Sequence, residues 1–537
     1  MSSLRVPTHL ATATSDPGLS LSPATARRVP LLLLLVLFGF ELAAILVADG
    51  GHFSYTLDDA YIHLALAENI ARGHYGVNLE ELSAPSSSIV WPVLLVPFSG
   101  FPFGAYVPLL INLLASLGTV YLFGELAARA LRSSATPNRF AIACLIVILL
   151  IPATNVVGLV FTGMEHSLQV FLGVLLLFGI IREQETGRVP WCLPVAIVCG
   201  PLVRYENLAL AVPALLYLAM RRHYRTLLVC AGVLTATMVG FSLFLYSQNL
   251  GLLPSSVLLK SSVMSRGIGV EAIERNLKDN VWSRQGGLLG LGLSLLVAVG
   301  VDARRKREER MLAGWAAVAL LLHLLVGTYG AYSRYEVYIW TTVLLTLLLL
   351  VGRQLAHWSD GVPVAGVAAA ASIGALAIGW PYAAILTTTP LASRGIYEQQ
   401  YQMHRFIVEY WHAPVAVNDL GWTSYRNDAY VLDFGGLASR EARQAARDGT
   451  NQNWMGALAR EHNVHLAMIY HDWFGVLPSR WVPIGELRLG TVQVTPAGNT
   501  VTFYAMDAEG LARGRALARD FQKTLPDGVR FVLYDQH

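Results

Sequence analysis

Pro30-Leu31-Leu32-Leu33-Leu34-Leu35-Val36-Leu37-Phe38 opens an apolar run that continues to Ala48, and about ten residues past its end the chain reads Thr56-Leu57-Asp58-Asp59-Ala60-Tyr61. The run is about 19 residues long, enough at about 1.5 Å per residue to cross a hydrocarbon core of about 30 Å. A carboxylate pair just beyond a span is costly to keep at a membrane face without a task. Such a pair can act as a general base, as a metal site, or as both. The rest of the chain reads as the scaffold that holds it.

Composition sets the class. Of 537 residues, 54% are hydrophobic and 14% charged, against about 25% charged in soluble chains. This indicates an α-helical polytopic membrane protein. The net charge of +3 is too small to imply nucleic acid. Cys144, Cys192, Cys199 and Cys230 all lie in apolar runs, without disulfide framework or metal spacing. The first 29 residues are rich in Ser, Thr, Ala and Pro and end on Arg27-Arg28 before the apolar run. With no clear small-residue cleavage site, the run reads as an uncleaved span behind a disordered cytoplasmic tail, residues 1–29.

About eleven crossings are expected, at 30–48, 103–128, 139–156, 164–181, 190–203, 204–220, 225–246, 286–301, 311–328, 338–352 and 362–386. The pair at 190–220 is short for two crossings, and 89–99 reads as an interfacial or re-entrant helix. Arg27-Arg28, Arg129, Arg132, Arg139, Arg182, Arg188, Arg221-Arg222, Arg225, Arg304-Arg305-Lys306-Arg307, Arg310 and Arg353 then all fall in loops on one side. By the positive-inside rule that side is the cytoplasm. The other side receives Asp58-Asp59, Glu165-His166, Arg204-Tyr205-Glu206, Lys260, Arg334-Tyr335 and the C-terminal residues 387–537.

Each of these groups has two readings. Thr56 to Asp59 fits a capping box, with Thr56 as N-cap and Asp59 reaching back; capping needs only one carboxylate, so Asp58 is left over. The helix expected at Ala60–Arg72 spaces Ile62, Leu66 and Ile70 as a stripe able to lie on a membrane surface. Gly163-Met164-Glu165-His166 is either a helix start with an acid in its first turn or a substrate or metal contact. Arg204 either pairs with Glu206 or offers its planar fork to a phosphate. Lys260 and Arg334 either snorkel to the interface or clamp a lipid phosphate.

After residue 387 the apolar runs shorten and charge returns. An amphipathic helix over 397–411, strands at 415–417, 430–432, 464–470 and 501–504, and helices at 440–447, 455–461 and 511–522 indicate a small mixed α/β extracytoplasmic domain. Asn418-Asp419-Leu420-Gly421 and Asp433-Phe434-Gly435-Gly436 read either as turn chemistry, with no catalysis assigned, or as part of an acceptor-binding surface. The chain has no P-loop, dinucleotide fingerprint, HExxH or Gly-x-Ser-x-Gly.

Five stretches carry a resemblance: Asp58-Asp59, Ala67-Glu68-Asn69-Ile70-Ala71-Arg72-Gly73, Gly163-Met164-Glu165, the loop Leu253-Pro254 to Lys260, and Val417-Asn418-Asp419-Leu420-Gly421 with Val431-Leu432-Asp433. In this order and on this side of the membrane they resemble the GT-C superfamily of integral-membrane glycosyltransferases. The likeness is to the bacterial branch of terminal arabinofuranosyltransferases and mannosyl- or aminoarabinosyl-transferase-like proteins. The chain departs from that pattern at Ser83-Ala84-Pro85-Ser86-Ser87-Ser88 before Trp91, where a Gly-Tyr-Thr-Asn type segment is common, and at Arg204-Tyr205-Glu206, where Arg-Pro-Glu is common.

The resemblance implies a sugar moved from a polyprenyl-phosphate donor to a glycan, lipid or protein hydroxyl by direct, inverting attack. It places the protein in the bacterial cytoplasmic membrane, with the N-terminus cytoplasmic and the C-terminal domain periplasmic. Asp58 would be the general base. Asp59 would cap the helix, orient the acceptor or join Asp58 on a divalent cation (Mg, Ca or Mn), which is compatible with the site but not required by it. Arg204, Lys260 and Arg334 would bind the donor phosphate, and Glu165, His166, Glu206 and Tyr335 would contact substrate. The domains are then the tail 1–29, a membrane domain 30–386 with the catalytic loop 49–88, and the outer domain 387–537. The alternative is a transporter or flippase of a lipid-linked saccharide, whose charges would lie nearer mid-membrane.

Overall fold

A computed structural model describes residues 21–133, 138–265, 267, 269–360, 364–448 and 453–534. Most of the expected tail lies outside these residues. Its last part does not behave as a tail: Pro23–Ala48 is one helix, started by Ser22, whose hydroxyl accepts from the Thr25 amide at 3.1 Å.

Every expected apolar run coincides with a helix: Pro23–Ala48, Val107–Ala130, Arg139–Ala153, His166–Thr186, Cys192–Val203, Leu208–Met220, Tyr224–Ser247, Arg284–Val301, Arg307–Val326, Val337–Asp360 and Val364–Glu398. Among the described residues, six helical stretches are long and apolar enough to cross a membrane. They become seven if Val270–Trp282 and Gln285–Val301, bent by 97°, form one span. The chain is thus a multi-pass membrane protein. The short pair at 190–220 is broken where Arg204 turns to an extended backbone (φ −151°) after Pro201 and a 3-10 turn, Tyr205–Asn207, follows.

The basic loops gather at one end of the bundle. Arg27 and Arg129 both reach Glu125 (2.7 and 2.8 Å), Arg129 and Arg132 reach Glu185, and Arg305 donates to the Leu350 carbonyl. Asp58, Asp59, Glu165, Arg204, Lys260, Arg334 and the C-terminal domain occupy one shared region away from those loops, as the contacts below show.

Two expectations for the first loop fail. The helix Asp59–Ala71 does not lie on a surface, because Ala60 to Ala67 are all buried, not only Ile62 and Leu66. A helix apolar on all sides needs cover all round, and the C-terminal domain supplies it. Tyr55, Tyr61 and Trp91 share one core with Phe406, Trp411 and Phe503. The capping box is also absent: the Thr56 hydroxyl donates to the Phe161 carbonyl, and the Asp58 side chain caps nothing in its own helix. Residues 89–99 form the short helix Trp91–Leu95 and a 3-10 turn, Val96–Phe98.

The C-terminal domain is mixed α/β. Its six strands are β1 Val415–Val417, β2 Val431–Asp433, β3 Leu466–Ile469, β4 Val482–Arg488, β5 Thr500–Ala505 and β6 Arg530–Leu533, in the order β2-β1-β3-β5-β4-β6. β1 pairs in parallel with β2 and β3; the remaining pairs are antiparallel. β4 and β6 were not expected: β4 carries Pro483 and Gly485, where its register shifts, so its alternation is broken. The expected helix over 397–411 is instead the end of Val364–Glu398, then Gln400–Arg405, then a π-helical turn Phe406–Trp411. The carboxyl ends of β1, β2 and β3 deliver Asn418-Asp419, Asp433 and Tyr470, and Asp419 meets the first loop.

Candidate active site

Asp59 opens the buried loop helix and sits between two cations. Its Oδ2 accepts from Lys260 Nζ at 3.0 Å and from Arg334 Nη2 at 2.7 Å. Lys260 ends the short helix Ser255–Lys260, which is fixed by the Ser255 amide on the Ala84 carbonyl and the Ser256 hydroxyl on the Ser86 carbonyl. Arg334 follows Ala331, Tyr332 and Ser333, three successive residues with left-handed backbone (φ 46°, 66° and 51°). Such a run costs energy and persists only where its surroundings enforce it. Burial alone would raise the Asp59 carboxyl, but Lys260 and Arg334 outweigh it and hold the group ionised well below the usual carboxylate range.

A second ionic group adjoins the first. Arg204 Nη1 donates to Glu165 Oε1 at 2.7 Å, and its Nε and Nη2 grip Glu206 at 3.1 and 2.5 Å. Ser87 donates to Glu165 at 3.0 Å, and His63 Nε2 lies 3.7 Å from Glu165 Oε2. Gly163 makes this approach feasible: its φ is +66°, and a Cβ there would lie 2.7 Å from both Ala60 Cβ and the Tyr55 ring. The Tyr335 ring faces both arginines, with Arg204 at 5.5 Å and Arg334 at 5.1 Å from its centroid. His166 is fully buried with its ring 6.1 Å from Tyr335, and neither of its nitrogens has a hydrogen-bond partner among the described residues.

Asp59, Glu165, His166, Arg204, Glu206, Lys260, Arg334 and Tyr335 therefore form one patch. Among the described residues, Arg334 Nε and Nη1 and the one N–H of the neutral His166 ring are buried without partners. A buried donor left unmade is costly. Several together, beside Lys260 and Arg204, suit an anion with several acceptor oxygens.

Asp58 has a different setting. Its Oδ2 accepts from the Gly421 amide at 2.6 Å and its Oδ1 from the Trp422 amide at 2.8 Å. It clips the membrane domain to the start of the short helix Gly421–Ser424. Asp419 lies beside it, with Gln400 Nε2 donating to Asp419 Oδ2 at 2.9 Å. Burial pushes both carboxyls above the usual range, and the charge of Asp419 raises Asp58 further, so the pair keeps a proton to higher pH than free carboxyls do. A cation at Asp58 and Asp59 would meet carboxylates that already have partners. Asp58 is occupied by amides, Asp59 by a lysine and an arginine, and no group of three His, Cys, Asp or Glu among the described residues is disposed to hold a metal.

Sequence reasoning missed His63, Ser87, Gln400 and Trp422, and it gave Asp419 and Gly421 no place beside Asp58. His63 carried a signal, since it lies one helical turn after Asp59 and so on the same face. Asp419 carried another, because polar residues at the carboxyl end of a parallel strand commonly face a ligand crevice. The turn reading of Asn418 to Gly421 is corrected: a Cβ on Gly421 would lie 2.0 Å from the Asp58 carbonyl oxygen, so this glycine makes room for Asp58. Asp433 does behave as turn chemistry, accepting from the Gly435 and Ala438 amides, with burial pushing it up to about 6.

Residues 393–504 match a family model described as a domain of unknown function (DUF8728). No curated protein matches the chain. Among solved structures the chain is similar to ArnT from Cupriavidus metallidurans, crystallised bound to undecaprenyl phosphate. The two share 12% identity at a TM-score of 0.50, over 89% of this chain and 98% of that one. The polytopic helical domain with its C-terminal α/β domain thus has an ArnT-like fold.

Proposed function

We propose that this protein is a membrane glycosyltransferase that moves a sugar from a polyprenyl-phosphate donor to an acceptor hydroxyl at the outer face of the membrane. The observation that carries the reading is the convergence of Lys260, Arg334 and Arg204 around Asp59, with the Arg334 fork only partly used. The fold likeness to a protein crystallised with undecaprenyl phosphate supports the donor class. The gathering of basic loops at one end supports the sidedness.

Asp59, rather than Asp58, is the base in this mechanism. Asp58 is buried with both oxygens bonded to amides, whereas Asp59 Oδ1 has no partner among the described residues. The donor phosphate takes over Lys260 and Arg334, and as they turn from Asp59 its carboxylate becomes more basic. The acceptor oxygen then bonds to the anomeric carbon and its proton passes to Asp59. The bond from anomeric carbon to phosphate oxygen breaks, and its electron pair leaves with the polyprenyl phosphate. Lys260, Arg334 and Arg204 stabilise the charge that grows on that phosphate. The attack is direct and inverts the anomeric centre. The sugar is a pentose or hexose, and the acceptor a glycan, lipid or protein hydroxyl.

The test supplies a panel of radiolabelled polyprenyl-phosphate sugars to membranes bearing wild type or Asp59→Asn. Wild type transfers label from one donor, and Asp59→Asn loses about 10²- to 10⁴-fold, the usual worth of a general base. A folded wild type that transfers from no donor would sink the enzyme reading in favour of a flippase.

A further inference from the structure

The C-terminal sheet carries a second cavity, of about 1120 Å³, that the mechanism above does not use. Successive residues of a strand face opposite sides. Along β5, Val501 and Phe503 enter the core, while Thr500, Thr502 and Tyr504 line this cavity. Tyr470, His471 and Trp473, which follow β3 beside β5, line it as well, with His471 Nδ1 2.7 Å from the Tyr504 hydroxyl. Trp473 keeps 52% of its surface exposed and tilts against Tyr470 at 5.6 Å between ring centroids. A large ring left in water beside other rings marks a contact surface. The lining also carries hydrogen-bonding groups, Glu486, Gln493 and Asn499, of which Glu486 accepts from Arg488 and Tyr534 and Gln493 donates to the Pro496 carbonyl. The lining carries two acids, Asp472 and Glu486, and one arginine, Arg515, too little charge of either sign to select a polyanion or a polycation.

We propose that this groove binds a saccharide chain, the acceptor glycan, and leads it toward Asp59. A sugar ring offers apolar C–H faces to aromatic rings and hydroxyls to amides and carboxylates, and the lining provides both. The volume, at the upper end of the about 300–1,000 Å³ usual for ligand sites, leaves room for more than one sugar unit. The groove is also wired to the active site. The Tyr470 hydroxyl donates to Gln399 Oε1 at 2.5 Å and accepts from Gln400 Nε2 at 2.9 Å, and Gln400 in turn holds Asp419 beside Asp58. Gly498 closes the Tyr470 face of the groove: a Cβ there would sit 2.9 Å from the ring, so only glycine lets this turn lie against it. The inference rests on the glycosyltransferase reading for the word acceptor, but saccharide binding is measurable without transfer.

The experiment applies the full-length protein in detergent to a printed array of linear pentose and hexose oligomers of both anomeric linkages. Wild type, Trp473→Ala, Asp59→Asn and Trp282→Ala are compared; Trp282 is 88% exposed on the helix Val270–Trp282, outside the groove lining, and controls for loss of a surface tryptophan. Wild type, Asp59→Asn and Trp282→Ala retain one class of oligomer, and Trp473→Ala retains it about tenfold more weakly. Retention of no oligomer by wild type, or equal retention by Trp473→Ala, overturns the proposal. Retention that depends on Trp473, in a protein that transfers from no polyprenyl-phosphate sugar, upholds the groove and overturns the enzyme reading instead.

Discussion

Asp58→Asn separates a structural from a chemical role for the first carboxylate. Asp58 is 6% exposed and accepts one backbone N–H on each oxygen, at 2.6 and 2.8 Å. Asparagine keeps one acceptor oxygen and turns an NH2 toward the other amide, so one buried N–H loses its partner and meets a donor. The unmet group costs about 1–3 kcal/mol. The cost falls on the joint between the two domains, because Gly421 and Trp422 belong to the C-terminal domain. At about 2.1 cal/mol/K of unfolding entropy per residue, such a loss lowers the melting temperature of a 537-residue chain by roughly 1–3 °C. Thermal unfolding and initial transfer rates are measured on one preparation, at several acceptor concentrations. The expected outcome is a lower melting temperature, a raised acceptor KM and a maximal rate within about tenfold of wild type, since a lost base would cost 10²-fold or more. A variant that melts like wild type yet transfers nothing would refute the assignment and return the base role to Asp58.

Gly421→Ala attacks the same joint from the other side. Its Cβ would lie 2.0 Å from a backbone oxygen and 2.6 Å from Asp58 Oδ2, so it costs at least about 1–3 kcal/mol; an unchanged melting temperature would show that the joint yields. Arg334→Lys keeps the charge on Asp59 but removes the fork that carries the unused Nε and Nη1 donors. The donor KM is expected to rise, and an unchanged donor KM would exclude Arg334 as a phosphate ligand. Stability should also depend on pH through Asp58 and Asp419. Their folded values are raised above an unfolded value of about 3.9. Above that pH the native state holds a proton that the unfolded state has lost, so stability falls as pH rises toward the folded value, by up to about 1.4 kcal/mol per pH unit. Asp49 and Glu336, each raised to about 7 by burial, add slope of the same sign. Asp59 adds none there, being ionised in both states. The pair is therefore read from the difference between wild type and Asp419→Asn, and parallel curves for the two would show that it holds no proton.

Much of the candidate site was visible in the sequence because charge is rare in this chain. Asp59, Glu165, Arg204, Lys260 and Arg334 are ionisable residues at the edges of apolar runs, and such residues stand out against their surroundings. What escaped notice is polar but ordinary in context. Asp419 and Gly421 look like any strand-to-helix turn, and Ser87 like any loop serine. Asp58 and Asp59 are adjacent in sequence, and nothing local shows that their partners differ. Successive side chains at a helix start point in different directions, so one meets the C-terminal domain and the other meets Lys260 and Arg334.

Hydropathy and loop charge by themselves determined that the chain is a bundle of apolar helices with its basic loops at one end and its scattered acids and cations elsewhere. Both signals are local: lipid forces backbone hydrogen bonds to close within each span, and each short basic loop carries its own bias. Tertiary structure decided that the C-terminal domain is fused to the first loop through one apolar core, that Asp58 is spent in the joint, and that Asp59 stands between two cations. Those outcomes depend on contacts hundreds of residues apart, such as Asp58 with Gly421 and Asp59 with Arg334. No periodicity or spacing encodes such contacts; only the packed chain brings them within hydrogen-bonding distance.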